Sequence, residues 1–198
     1  MAQRRLDDNR IYTADEFMEI AASDKLLELI EGKLTSVCAA ACGSSELAGR
    51  LTTYLTLYVG TRGLGRVMVT DGSFRIEQRP ETVVQSDVAF VRMDRFEDQD
   101  RLTYYRGSPD LAIEIRSPSD RLAEMIRKMD RYLKAGTELT WLVDPLKRQI
   151  HVRTQRDAVA RLLVEGDDLT GAPVLPGFSL PVDHIFDPNA LIWPDLVL

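Results

Sequence analysis

P-D-L-A-I-E-I-R-S-P-S-D-R-L-A-E-M-I-R-K-M-D-R-Y-L-K, from Pro109 to Lys134, carries the plan of the chain. Within it Leu111, Ile113 and Ile115 alternate with Ala112, Glu114 and Arg116. That period of two predicts a half-buried strand over Leu111–Ile115, with one apolar and one solvated side. A Ser117-Pro118-Ser119 turn follows, then an amphipathic helix from Ser119 to Ala135, closed by Gly136. Leu122, Ile126, Met129 and Leu133 form its apolar stripe. Glu114 interrupts an otherwise apolar run, and a buried carboxylate has to be paired or put to use.

Downstream, Leu139–Val143 predicts a strand ended by Asp144-Pro145, with Ile150–Arg153 returning beside it through Leu146-Lys147-Arg148. Further hairpins are expected over Arg161–Leu180, with Gly-Asp-Asp and Pro-Gly turns. Upstream, Val67–Ile76 and Val83–Val91 read as strands interrupted around Arg79-Pro80. The charged stretch between Arg92 and Gly107 reads as a loop or a short helix near Asp94. Leu47, Leu51, Tyr54, Leu55 and Tyr58 recur at helical spacing, so a helix from about Ser45 to Val59 should pack on a sheet, broken by Gly60 and Gly63. Thr13-Ala14-Asp15-Glu16 is a capping box that starts a helix from Ala14 to about Ala22. Leu26–Ile30 and Lys33–Ala39 form a hairpin around Glu31-Gly32. Helices flanking a central group of strands imply an α/β fold with a mixed β-sheet and extra β-hairpins. Residues 1–11 are expected to be a flexible N-terminus and 12–198 a single domain.

The chain has 198 residues, 44% of them hydrophobic, enough to bury a core. Its longest apolar runs are too short for a membrane helix, and the charged start has no apolar segment behind it. Cys38 and Cys42 stand without a nearby histidine and read as structural or incidental thiols, which points to a cytoplasmic setting. A net charge of −6 does not favour nucleic-acid binding by charge alone, but an active site built from carboxylates is itself acidic. His151 and His184 have no partner at ligand spacing, and Trp141 reads as core.

Three residues are weighed together. Asp87 opens an apolar strand in Q-S-D-V-A-F-V, Glu114 lies inside another, and Lys128 lies beside the stripe of the next helix, one turn before Tyr132. Two carboxylates on neighbouring strands can hold a hard divalent cation. A lysine beside them can offset negative charge or help activate a water, which is what phosphodiester hydrolysis requires. From spacing alone the signal is weak, since a strand-end Asp, a salt-bridged Glu and a surface Lys128 paired with Glu124 would give the same pattern.

L-E-L-I-E-G-K, S-D-V-A-F-V, S-P-D-L-A-I-E-I-R-S-P-S, K-M-D-R-Y-L-K-A-G and W-L-V-D-P together resemble the bacterial "putative restriction endonuclease" family of hypothetical proteins, a branch of the PD-(D/E)XK nuclease superfamily. The resemblance runs in order from about Tyr12 to Phe186. It implies a restriction-endonuclease-like core, with Asp87 and Glu114 as metal ligands for Mg²⁺ or Mn²⁺. The lysine of the motif should stand at 116, where this chain has Arg116; in this family it is displaced onto the following helix, here Lys128. Arginine stays protonated and cannot serve as a general base, though it can hold a phosphate. Glu28 matches a family acidic position and is a candidate additional ligand or orienter, the alternative being a strand residue facing solvent. Asp110 also matches, with a strand-entry turn as the alternative. Tyr132 is a packing residue or a phosphate or lysine contact. Ser86 replaces the motif proline, and Ser44 and Ser45 stand where family members often carry a histidine.

The implied activity is metal-dependent endonucleolytic hydrolysis of DNA, by a homodimer with no membrane association. Arg62, Arg66, Arg92, Arg95, Arg101 and Arg106 could line a backbone groove or simply be solvated. The alternative is a non-catalytic nucleic-acid-binding or assembly module that retains the nuclease fold.

Overall fold

The computed structural model describes residues 10–23, 27–37, 42–69, 72–96, 102–187 and 189. Cys38, Arg101 and residues 1–9 lie outside the described residues, while Cys42 is exposed at a helix start. Thr13 caps α1 (Ala14–Ala21) as expected: its hydroxyl accepts the Glu16 N–H at 3.2 Å, and the Glu16 carboxylate accepts the Thr13 N–H at 2.9 Å. The helix buries Phe17 against a five-stranded sheet in the order β2 (Lys33–Ser36), β1 (Leu27–Ile30), β5 (Glu81–Gln85), β4 (Ser73–Gln78) and β7 (Tyr105–Arg106). Glu31 and Gly32 turn the β1–β2 hairpin at φ 52° and 76°, and a Cβ on Gly32 would fall 2.7 Å from the Ile11 side chain.

A six-stranded sheet runs β11 (Arg161–Val164), β10 (Gln149–Thr154), β9 (Leu139–Asp144), β8 (Leu111–Ile115), β6 (Val88–Arg92) and β3 (Gly65–Val69). β8 and β9 are parallel and are joined by α4 (Leu122–Lys134); the other neighbours are antiparallel. The sheet is mixed, as the order of elements implied. Helix α2 (Cys42–Arg62) covers one face, packing Leu51, Tyr54 and Leu55 with Leu111, Ile113 and Ile115. The β12 (Asp168–Thr170) and β13 (Ser179–Pro181) pair and α5 (Val182–Phe186) extend that core, and Trp141 is fully buried in it. On the other face α4 sets Met129 and Tyr132 over Ala112 and Leu142.

Several boundaries differ from expectation, each for a local reason. β8 is buried on both faces, because α4 covers the side expected to be solvated; Glu114 itself is 4% exposed. α4 begins at Leu122 rather than Ser119, since the Asp120 carboxylate accepts the Ser117 N–H at 2.7 Å and closes a turn there. Ile126, expected in the apolar stripe, lies at the helix surface, 38% exposed, and the buried residues of the helix are Met129, Tyr132 and Leu133. Gly60 lies within α2, which ends instead at Gly63 with φ 65°. Val67–Ile76 divides into β3 and β4, and Val83–Val91 into β5 and β6, the members of each pair lying in different sheets. The short helix near Asp94 is α3 (Met93–Phe96).

Candidate active site

The second of those divisions builds the site. β5 leaves the five-stranded sheet at Gln85, the chain crosses through Ser86 and Asp87, and β6 enters the six-stranded sheet at Val88. Val88 pairs with Ile113, so Asp87 arrives one step further along, beside Glu114. Its Oδ2 accepts the Ile115 N–H at 2.6 Å. Glu28, on β1, reaches the same junction and accepts the Gln85 N–H at 3.0 Å through Oε1. Lys128 descends from α4 and donates to the Gln85 carbonyl at 2.8 Å. Its Nζ also lies 2.8 Å from Glu28 Oε1 and 2.9 Å from Glu114 Oε1. Tyr132, one turn further along α4, donates its hydroxyl to Glu114 Oε1 at 3.1 Å.

Asp87, Glu114 and Lys128 therefore meet, together with Glu28 and Tyr132. Glu28 is buried and does not face solvent, and Lys128 leans inward along the sheet. Glu124 pairs with Arg121 at 3.8 Å, not with Lys128. The remaining candidates lie elsewhere. Arg116 donates to Asp144 at 2.9 Å and to the Asp120 carbonyl, which leaves its guanidinium tied to a fully buried carboxylate. Asp110 stands at the opposite end of β8, four residues or roughly 13 Å from Glu114. There it accepts the Arg92 N–H at 2.8 Å and pairs with the Arg92 and Arg95 guanidiniums at 3.0 and 2.7 Å. Those two arginines thus anchor a carboxylate, and Arg62 lies over the Tyr58 ring at 4.0 Å. Gln85 carried no signal in the sequence: it serves through its backbone N–H and C=O, which any residue supplies.

The electrostatics follow from crowding three carboxylates around one ammonium in a partly dry junction. Burial raises the Asp87 carboxyl above its ordinary range, against the Ile115 hydrogen bond and the charge of Lys128. Burial likewise raises Glu114 to about 8, with Lys128 opposing the shift and Asp87 and Glu28 adding to it. For Lys128 burial works against the charged form, but Glu114 and Glu28 outweigh it and hold the ammonium above its usual value. Burial and the same carboxylates keep the Tyr132 hydroxyl protonated, and so a donor. Among the described residues no three carboxylate, imidazole or thiolate groups already stand as a metal cage. The ammonium between Glu28 and Glu114 is their present counter-charge. The donors are nevertheless all hard oxygens, the set that suits Mg²⁺ or Mn²⁺.

Among the described residues no helix is long and apolar enough to cross a membrane. A comparison with curated proteins finds no match. Among solved structures the fold is similar to that of a "putative nuclease" from Anabaena variabilis, with a TM-score of 0.75 and 20% sequence identity over 88% of this chain and 97% of that one. A family model, Uma2, described as "Putative restriction endonuclease", matches residues 14–183. The chain belongs to the Uma2 family.

Proposed function

We propose that this protein is a divalent-metal-dependent endonuclease that hydrolyses phosphodiester bonds in DNA, at the junction of Glu28, Asp87, Glu114 and Lys128. The observation that carries the reading is the convergence of three carboxylates and one lysine where the chain passes from the five-stranded to the six-stranded sheet. Asp87 and Glu114 would hold Mg²⁺ or Mn²⁺, with Glu28 as a further oxygen donor. Bound there, the cation supplies polarisation of the phosphate and a more acidic water. Lys128 offsets negative charge developing on the phosphate. Glu28 and Glu114 hold Lys128 as the ammonium, the form that can do so. Cutting both strands suits a homodimer, with one such site in each copy.

A second reading, a non-catalytic module of the same fold, draws on a different observation. Lys128 is already closed in by Glu28, Glu114 and the Gln85 carbonyl, as a structural ion-pair network would be. Calorimetric titration with Mn²⁺ separates the two. The nuclease reading expects saturable binding by the wild type, weakened at least about 100-fold in Glu114→Gln, at or beyond the top of the range for second-shell losses. A wild type without saturable binding would leave the non-catalytic module.

A further inference from the structure

Each of the three carboxylates at the junction gives one oxygen to donors of the protein. Glu28 gives Oε1 to the Gln85 N–H and Lys128, and Asp87 gives Oδ2 to the Ile115 N–H. Glu114 gives Oε1 to Lys128 at 2.9 Å and to the Tyr132 hydroxyl at 3.1 Å. Among the described residues no donor is placed on Glu28 Oε2, Asp87 Oδ1 or Glu114 Oε2. For Glu28 and Asp87 a backbone N–H selects the committed oxygen, so β-strand geometry holds the carboxylate. Among the described residues Glu114 has no backbone donor. Its partners are two side chains of α4, and one of these, Lys128, is shared with Glu28.

Tyr132 is therefore the one partner on Glu114 that is not shared with another carboxylate. It is fully buried among Met129, Ala112 and Leu142, so the ring cannot follow a carboxylate that turns. We infer that Tyr132 is a positioning residue, whose hydroxyl pins Oε1 of Glu114 and keeps Oε2 as the oxygen available to a divalent cation. This rests on the metal-dependent reading above. It assigns Tyr132 a task distinct from packing and from contact with phosphate.

Tyr132→Phe retains the ring and removes only the hydroxyl. Calorimetry with Mn²⁺ is expected to show affinity falling about 10- to 100-fold, the range for loss of a hydrogen bond that orients a ligand. Leu133→Met, a core change on the next residue of α4, is expected to bind Mn²⁺ as the wild type does. In a Glu114→Gln background, Tyr132→Phe should cause no further loss, because it acts through that carboxylate. Equal affinity in Tyr132→Phe and wild type would overturn the inference and leave the metal site standing, as would equal losses in Tyr132→Phe and Leu133→Met. A wild type that binds no Mn²⁺ would remove both. A measurement without a Tyr132 variant guards against a folding defect: the Tyr132 hydroxyl proton should be protected from exchange in the NMR spectrum of the wild type. Fast exchange there would mean the hydroxyl does not hold Glu114, and would count against the inference whatever the variant does.

Discussion

Lys128→Met is expected to lower the stability of the metal-free protein by about 3–5 kcal/mol, the cost of removing one partner from a buried ion pair. Methionine preserves most of the stem and its packing, so the loss isolates the ammonium. With that charge gone, Glu28 and Glu114 lie in the same junction with Asp87 and no cation between them. The pH dependence is signed. The Glu114 carboxyl titrates at about 8 in the fold against an ordinary 4.5, so folding favours its protonated form. The stability this contributes is complete below the ordinary carboxylate range and is lost as the pH rises through 8. Lys128 opposes the shift, so its removal raises the Glu114 carboxyl further and makes ionisation more costly. The deficit of Lys128→Met should therefore be larger at pH 9 than at pH 6, read from urea unfolding at constant ionic strength. A deficit equal at both would mean that Lys128 does not act on the ionisation of Glu114, and would leave its contacts with Glu28 and the Gln85 carbonyl as the source of the loss.

The second large effect lies at the other end of the same strand. Asp110→Ala is expected to cost about 3 kcal/mol, because a charged acceptor is removed from one backbone and two guanidinium donors. The Arg92 N–H is left without that acceptor inside the sheet. Mn²⁺ affinity should be unchanged in the folded variant, since Asp110 is roughly 13 Å from Glu114 along β8. Urea unfolding together with calorimetry reads both quantities. Loss of metal binding with unchanged stability would instead make Asp110 part of the site.

That contrast shows what was legible in the sequence. Asp110 and Glu114 lie four residues apart in one motif and both match the resemblance, yet only the neighbours assigned by the fold separate their tasks. Periodicity found β8, α2 and α4 because each buries an apolar face. It could not find the division of Val83–Val91, because β5 and β6 are both apolar and buried while belonging to different sheets. That division brings Asp87 to Glu114, so the junction was visible only through the motif residues and not through the strand pattern. The solvated side expected for β8 was misplaced for a related reason. Alternation reports a change of residue type, and Glu114 supplied one, but its charge is met by Lys128 beneath a covering helix. Tyr132 was legible as a core residue, whereas its bond to Glu114 depends on how α4 crosses β8, a tertiary fact. The contributions of Gln85 and Ile115 come from the backbone and left no trace in the sequence.

The central claim meets its most direct test in cleavage of supercoiled DNA with Mg²⁺ or Mn²⁺, using wild type, Glu114→Ala and Lys128→Ala purified in parallel. The expected result is metal-dependent nicking by the wild type that is abolished by chelation and by either substitution. Nicking that survives in Glu114→Ala at the rate of the wild type would contradict the assignment, since it would arise somewhere other than this junction.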